Sequence, residues 1–333
     1  MKKTQVALAA LALVASTAAM AGDVTVYGTV DASVIKTDQG TSMAGAGNSA
    51  GSIIGFKGSE DLGSGLKASF NLETGYTATN GALANGGAVN GPTVIFNRLA
   101  NVGLSNEAFG LTLGTQLSPF IGGELNGATG VGGNGVFVPA LLILNGGNLA
   151  GTGTSIGGFF IPDAVNVSAN FAGVSANAMT RTSVSGASGD TYVAANIGAA
   201  VANINLNLAY QDMVNGGTAT KNTVLSANTE LAGVRVNAAY ADNSISGTGN
   251  KGYLVGASMP LAGALSGGLT YAKSDLSTLG NMYSASLQYN LSKSTYAYLN
   301  YNKFSVATAV AANDSGNASS TTSSVAVGIA KSF

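Results

Sequence analysis

The charged side chains are the residues best able to do chemistry in this sequence, and four of them alternate with apolar neighbours. These four are Asp31, Lys67, Glu73 and Arg235. If the apolar neighbours meet lipid, a charge on the same side costs about 2–4 kcal/mol at the bilayer midplane, so the four must point the opposite way. Charges fixed along a wet surface attract or repel ions and orient water dipoles. We expect these residues to line such a surface rather than to form a reaction centre.

The sequence lacks the side chains that most enzymes and metal sites use. It contains no histidine and no cysteine, so the commonest general base and the imidazole or thiolate ligands of a metal site are missing. A serine–lysine catalytic pair stays open, although no pattern points to one. The formal net charge of −1 provides no basic surface for a phosphate backbone. We therefore expect no enzymatic activity, no metal or other cofactor, and no nucleic-acid partner.

The N-terminus has the pattern of an export signal. Two lysines precede an apolar run, and Ala19-Met20-Ala21 is an A-x-A cleavage site. The run is too short for a comfortable membrane-spanning helix. The sequence predicts a secretory signal peptide over residues 1–21 and one mature domain over residues 22–333.

Charged residues are scarce in the chain as a whole. They make up 9% of the 333 residues, against 46% hydrophobic residues, whereas soluble domains carry about 25% charged residues. No segment of the mature chain approaches the ~18 apolar residues of a membrane helix. If this domain sits in a membrane, it must therefore span it as a closed β-barrel.

The mature sequence alternates polar and apolar residues with a period of two, which is typical of strands whose faces meet different surroundings. In residues 203–211, Ile204, Leu206 and Leu208 share one face and asparagines share the other. Each such segment has about the length of a tilted membrane strand. Sixteen segments can be counted, at approximately 23–36, 51–60, 66–77, 93–105, 110–117, 162–171, 174–183, 190–199, 203–213, 220–230, 233–242, 250–259, 264–274, 281–291, 294–306 and 321–333.

The connections between these segments alternate between long and short. Residues 37–50 form a long connection and 61–65 a short one, the longest connection covers 118–161, and the alternation continues to 307–320. Long loops at one end and tight turns at the other are typical of outer-membrane barrels. A secreted β-sandwich or solenoid is the alternative, but its inner face would carry bulky apolar residues instead of Asn, Ser, Gln and Thr. We predict an all-β, 16-stranded antiparallel transmembrane β-barrel.

Several motifs occur in a recognisable order along the mature chain. They are VTVYGTVDAS at 24–33, GFKGSEDLGSGLKASFNLETGY at 55–76, NRLANVGLS at 97–105, FGLTLGTQLSPF at 109–120, NFAGVSANA at 170–178 and the terminal Phe333. Together they resemble the trimeric general-diffusion porins of Gram-negative outer membranes. The resemblance implies a homotrimer in outer-membrane lipids, export through the periplasm, and passive flow of small hydrophilic solutes and ions. It also implies that the long third loop, about 118–161, folds into the lumen.

The resemblance assigns roles to three further residues. In this family, basic residues on the barrel wall face acidic residues on the inserted loop, and the two create a field across the constriction. Arg98 matches the family's wall arginine, and Glu124 is the only acid of the third loop, so we expect this pair at the constriction. The C-terminal strand of the family is recognised by the barrel-assembly machinery, and Phe333 is expected to be this assembly signal.

The sequence also departs from the family at basic positions. Ile53 and Ile54 stand before GFKG, and Phe160-Ile161-Pro162 leads into the sixth predicted strand, where relatives carry arginine. The third loop itself is rich in glycine and apolar residues. We therefore expect a weakly charged constriction with low ion selectivity.

Two alternative functions stay open. A channel that prefers particular solutes would need a line of aromatic and ionic residues along the pore. Tyr296 and Tyr298 share the parity of Asn300 and Asn302 and can face inward, but no such line is evident. A surface adhesin or structural barrel is also compatible with long loops of Gly, Ser, Asn and Thr.

Overall fold

The computed structural model of the chain describes residues 24–83, 94–128, 140–141, 143–144, 159–182, 191–215, 217–309 and 320–333. The expected signal peptide, residues 1–21, lies outside the described residues. Among the helices that are described, none is both long and apolar enough to cross a membrane.

Sixteen antiparallel strands close into a ring, and a seventeenth short strand, β2, forms a hairpin with β1. The strands are β1 (Val24–Thr37), β2 (Gly40–Ala44), β3 (Ile53–Gly63), β4 (Leu66–Gly75), β5 (Leu99–Ser105), β6 (Phe109–Leu117), β7 (Phe160–Phe171), β8 (Val174–Arg181), β9 (Thr191–Val201), β10 (Ile204–Asn215), β11 (Thr218–Leu231), β12 (Val234–Ile245), β13 (Thr248–Ala262), β14 (Leu265–Ser274), β15 (Asn281–Ser292), β16 (Thr295–Ala309) and β17 (Ser320–Ser332). A helix, α1 (Pro119–Ala128), follows β6.

The ring closes where the last strand meets the first. β1 pairs with β3 between Val24 and Thr29, and with β17 between Thr29 and Thr37. No strand edge of the ring is left open, which removes the unpaired backbone groups that lipid could not satisfy. The prediction of a 16-stranded antiparallel barrel is confirmed, and each of the sixteen predicted segments corresponds to one strand of the ring.

The two faces of the strands differ as the alternation predicted. On β11, Asn222 is 1% exposed and Leu225 is 53% exposed. The outward face of the barrel carries exposed Val, Leu, Ile, Phe and Tyr, whereas the inward face carries many buried Asn, Ser, Gln and Thr. An apolar outer surface of this extent is stable only in lipid.

Tight turns connect the strands at one end of the barrel, which we call the turn end. Ala172-Gly173 and Ala232-Gly233 both have positive φ at their two central positions, at 49° and 81° and at 50° and 79°. Positive φ at both positions is the type I′ geometry, which matches the twist of antiparallel strands. The glycine in each turn tolerates this geometry without a steric penalty.

The opposite end, which we call the outer end, is less uniform than the sequence suggested. β6 ends at Leu117 and β7 begins at Phe160, but β10 ends at Asn215 and β11 begins at Thr218. β12 and β13 are likewise separated only by Ser246-Gly247. The expectation that outer connections are consistently long was wrong for these two, because the strands extend several residues beyond their apolar segments and pair to the tip.

Candidate functional site

A polar cluster on the inner wall joins the side chains of Arg98 and Glu73. Arg98 Nε donates a hydrogen bond to Glu73 Oε1 at 2.5 Å, and the main-chain N–H of Arg98 donates to the Glu73 carbonyl at 3.1 Å. Tyr27 Oη lies 2.9 Å from Glu73 Oε2. The two charged side chains are 22% and 8% exposed. Because water screens them only in part, this pair interacts more strongly than an ion pair on an open surface.

Aromatic rings hold this pair in place. The Arg98 guanidinium lies 4.5 Å from the centroid of the Phe160 ring, and Lys57 Nζ lies 5.1 Å from the centroid of the Tyr27 ring. Both are cation–π distances. A Cβ atom at Gly55 would lie 2.4 Å from a ring carbon of Tyr27, so the tyrosine can lie flat on β3 only because that residue is glycine. We call Tyr27, Lys57, Glu73, Arg98 and Phe160 the wall cluster.

The third loop begins with a well-capped helix. Ser118 precedes α1, its Oγ accepts a hydrogen bond from Phe120 N at 3.1 Å, and Pro119 takes the first helical position. Serine at the N-cap followed by proline is a strong helix start. Ser118 Oγ also forms a short hydrogen bond with Tyr192 Oη on β9. The start of the third loop is thereby fixed to the barrel wall.

The helix lies against inward-facing residues of β8–β13. Ser226 Oγ donates to the Gly123 carbonyl at 2.7 Å. A Cβ atom at Gly123 would lie 2.4 Å from Asn207 Oδ1 and 2.6 Å from Ala209 Cβ. The backbone of α1 therefore approaches the wall to a distance that only glycine allows.

A second part of the third loop packs on the same wall. Asn243 Nδ2 donates to the Leu144 carbonyl at 2.9 Å, and a Cβ atom at Gly252 would lie 2.4 Å from that carbonyl oxygen. The described loop residues and the wall share one apolar cluster. Its buried members are Phe120, Ile121, Ala140, Leu141, Ile143, Leu144, Ile161, Ala164, Met179, Tyr192, Ala194, Ala209, Met213, Val224, Ala239, Ala241, Leu254, Ala272, Met282 and Phe304.

The expected partners at the constriction can be compared with these positions. Arg98 lies on the inner wall, where it is paired with Glu73. Glu124 belongs to α1, but its side chain lies outside the described residues. The opposition of Arg98 and Glu124 therefore stays a prediction.

The other residues expected to line the pore differ in their exposure. Asp31 is 0% exposed, because the chain between β1 and β3, which we call the first outer connection, covers it with Ser49 and Ala50. Lys67 is the second residue of β4, exposed near the turn end and opposite Ser105. Arg235 is the second residue of β12, half-buried opposite Glu230. The role of these residues in contacting permeating solutes stays a prediction, as it does for Glu73.

Sequence reasoning missed the residues that hold the loops inside the barrel. The small or apolar inward residues Ala209, Val224 and Leu254 interrupt the polar face where the third loop packs. The corresponding signal was present in the sequence. The apolar third loop, with Leu141 and Leu144, requires apolar partners on the wall, and these interruptions are the positions that provide them.

A closed ring of antiparallel strands, apolar outside and polar inside, with a loop packed on its inner wall, defines the class of transmembrane β-barrel channels. The family model for Gram-negative porins matches residues 7–309, and the chain belongs to that family. Membership places the protein in the outer membrane and among channels rather than enzymes.

Relatives with known sequences support the same family. An outer membrane porin of Bordetella pertussis is 36% identical over 135 residues, covering 35% of this chain and 34% of the relative. Outer membrane porin protein 32 of Delftia acidovorans is 40% identical over 142 residues, covering 40% and 38%. The chain thus spans about a third of the length of the curated relatives it matches.

Solved structures share the fold over almost the whole chain. An anion-selective porin from Comamonas acidovorans has a TM-score of 0.72 at 24% identity, with 94% of this chain and 100% of that chain covered. OmpF of Salmonella typhi, in complex with daunomycin, has a TM-score of 0.67 at 16% identity, with 94% and 98% covered.

Proposed function

We propose that this porin forms a water-filled channel through which small hydrophilic solutes and ions diffuse passively, with a weakly charged constriction. The observation that carries the proposal is the inner face of a closed ring, which presents amide and hydroxyl side chains on nearly every strand. Such groups replace the hydration of polar solutes without binding them tightly. A third loop packed on one sector of the wall narrows the passage beside it.

The wall cluster supports the weak charge of the constriction. Arg98 is paired with Glu73 at 2.5 Å, so the field of the arginine is largely cancelled within the wall. The solved anion-selective porin from Comamonas acidovorans makes anion preference the natural alternative for this chain. We propose low selectivity instead, because the pairing removes most of the positive field that an anion would meet.

Planar-bilayer recordings test the channel. The purified protein is expected to produce large, long-lived conductance steps, and liposomes containing it are expected to swell in small neutral sugars at rates that fall with sugar size. Saturable block by a single sugar would favour the solute-preferring alternative. Absence of conductance steps from correctly folded barrels would favour the structural or adhesive alternative and contradict the proposal.

The outer surface supports a homotrimer as the working assembly. Within the described strands, the outward-facing tyrosines lie on β10 and β12–β16: Tyr210, Tyr240, Tyr253, Tyr271, Tyr283, Tyr289 and Tyr301. Interfacial aromatic girdles mark surfaces that meet lipid headgroups. The described strands β3–β8 carry no outward tyrosine, and they include the short β5 and β8, of 7 and 8 residues. We propose that this sector, which has no outward tyrosine and contains the two short strands, contacts the neighbouring subunits.

A matched pair of outward leucines tests this interface. Leu113 on β6 and Leu287 on β15 are 44% and 42% exposed in the monomer. Leu113→Gln is expected to shift the native protein from trimer towards monomer, because the amide would lie unpaired between subunits. Leu287→Gln meets lipid in both states and is expected to leave the trimer intact. The measurement is multi-angle light scattering of detergent-corrected mass, and equal behaviour of the two variants would contradict the assignment.

The remaining partners follow from the same assembly. We propose that residues 1–21 are removed after export, that the tyrosine-bearing sector contacts outer-membrane lipids, and that the barrel-assembly machinery recognises the last strand. Support for the last point comes from the position of Phe333 at the closing seam, beside Gly28.

A further inference from the structure

We propose that residues 45–52 of the first outer connection form a second inserted element of the pore, which we call the inner shelf. The shelf faces the sector opposite α1 and narrows the lumen by size rather than by charge. This inference rests on the proposed channel function and adds a second residue set that determines which solutes pass.

A buried carboxylate fixes the shelf to β1. Asp31 Oδ2 accepts hydrogen bonds from the main-chain N–H groups of Ser49 and Ala50, each at 2.7 Å. Tyr298 Oη on β16 donates to the other carboxylate oxygen at 2.6 Å. Hydrogen bonds to an ionised acceptor are about twice as strong as neutral ones. Asp31 therefore holds the shelf backbone directly against the wall.

Neutral side chains attach the shelf to β16 as well. Asn300 Nδ2 donates to Asn48 Oδ1 at 3.0 Å, and Ser49 Oγ lies 3.1 Å from Tyr296 Oη. A Cβ atom at Gly328 would lie 2.4 Å from the Tyr298 ring, so Tyr298 lies flat against β17. Both inward tyrosines of β16 thus form hydrogen bonds that hold the shelf.

The shelf also forms hydrogen bonds within itself and to the chain between β4 and β5, the second outer connection. Ser52 N donates to the Ala46 carbonyl at 3.0 Å, and Ala78 N donates to the Gly45 carbonyl at 2.8 Å. Ser52 Oγ and the main chain of Asp31 exchange two further hydrogen bonds at 3.0 Å each. A loop with this many internal and wall contacts keeps one conformation.

The shelf and the helix occupy different sectors at a similar height. The helix contacts β8–β13, whereas the shelf contacts β1 and β16. Asn207, beside α1, and Tyr298, beside the shelf, are each the fourth residue of their strands counted from the turn end. The two inserted elements therefore approach the lumen at the same level from separate sectors of the wall.

The chemistry of the shelf indicates what it selects. Its side chains over residues 45–52 are all uncharged, and the carboxylate that holds it, Asp31, is completely covered. A neutral polar surface reduces the cross-section of the pore without adding a field. We infer that the shelf limits the size of neutral solutes and leaves the preference between anions and cations unchanged.

Cysteine labelling tests the shelf cleanly because the chain has no cysteine of its own. Ala50→Cys retains the main-chain N–H that bonds Asp31, and Thr41→Cys on β2 is the matched control from the same connection, exposed and opposite Lys36 on the outward face. Both variants are treated in planar bilayers with a bulky, uncharged methanethiosulfonate reagent. Labelling of Ala50→Cys is expected to reduce single-channel conductance by roughly 1.5-fold or more, with no change in reversal potential. Labelling of Thr41→Cys is expected to leave conductance unchanged.

A second pair of variants tests the anchor. Tyr298→Phe, combined with Ala50→Cys, removes one hydrogen bond to Asp31 and is expected to accelerate labelling of the cysteine severalfold. Tyr289→Phe removes an outward hydroxyl of the same residue type and is expected to have no effect. Equal labelling rates in the two backgrounds would contradict the anchoring role of Tyr298.

Two results would contradict the proposal that the shelf lies in the pore. The first is full labelling of Ala50→Cys, verified by mass spectrometry, with wild-type conductance. The second is no labelling of Ala50→Cys under conditions that label Thr41→Cys completely. Unsubstituted channels recorded in the same membranes separate these results from a failure of the channel function, because absence of their current would contradict that function instead.

Discussion

Deletion of Phe333 is expected to lower the amount of assembled barrel in the outer membrane about tenfold, while the channels that do assemble conduct normally. Phe333 N donates to the Gly28 carbonyl at 3.0 Å, and Gly28 N donates to the Phe333 carbonyl at 3.1 Å. Losing two such bonds removes about 1–3 kcal/mol, and about 1.4 kcal/mol corresponds to a tenfold change in an equilibrium constant. Conductance is spared because the ring is 58% exposed on the outward face.

A substitution separates the two contributions of this residue. Phe333→Ala retains both main-chain hydrogen bonds to Gly28 but removes the ring, whose nearest carbon would lie 2.5 Å from a Cβ atom at Gly28. If the assembly machinery reads the ring, Phe333→Ala should assemble as poorly as the deletion, and Phe333→Tyr should assemble normally. Quantitative blotting of outer-membrane fractions provides the yields. Normal yield from the truncated chain would show that Phe333 is not an assembly signal.

Glu73→Gln is expected to produce the largest change in ion selectivity, towards anions. The substitution keeps the volume of the side chain but leaves the Arg98 charge without its carboxylate partner at 2.5 Å. One uncompensated charge near a narrow passage is worth about 0.7–1.4 kcal/mol to a passing ion, or roughly threefold to tenfold in the permeability ratio. Reversal potentials in a KCl gradient measure this ratio directly.

The partner substitutions give this prediction its controls. Arg98→Ala is expected to shift selectivity towards cations, because Glu73 is then uncompensated. The double variant, Glu73→Gln with Arg98→Ala, should have nearly the ion selectivity of the unsubstituted channel, since both charges are gone. Lys67→Ala changes a wall charge near the turn end and should have a smaller effect. Unchanged reversal potentials in both single variants would place the wall cluster away from the narrow part of the pore.

The number and order of the strands were predictable from the sequence because lipid and water impose opposite demands on alternate residues. A strand such as β10 has Leu206 and Leu208 on one face and Asn207 on the other, and no other arrangement satisfies both surroundings. Residue pairs such as Ala172-Gly173 indicated where the tight turns lie. These constraints act on residues that are neighbours in the chain, so they can be inferred from a single sequence.

The internal contacts of the pore were harder to predict because they join residues far apart in the chain. Arg98 and Glu73 were both expected to face inward, but their pairing depends on the register of β4 with β5. Asp31 had the parity of a pore-lining residue, yet the structure buries it under Ser49 and Ala50. Parity predicts the face on which a side chain lies, whereas only the packed loops determine what it meets there.

The short turns at the outer end have a consequence for how the cell surface presents this protein. Between β10 and β13, the chain turns back between Asn215 and Thr218 and again at Ser246-Gly247, so these hairpins end without any added loop. Few residues therefore project above this part of the rim for an antibody or bacteriophage to bind. Large external molecules should therefore bind mainly to the other sectors of the rim. The rim over β10–β13 should offer them the smallest binding surface.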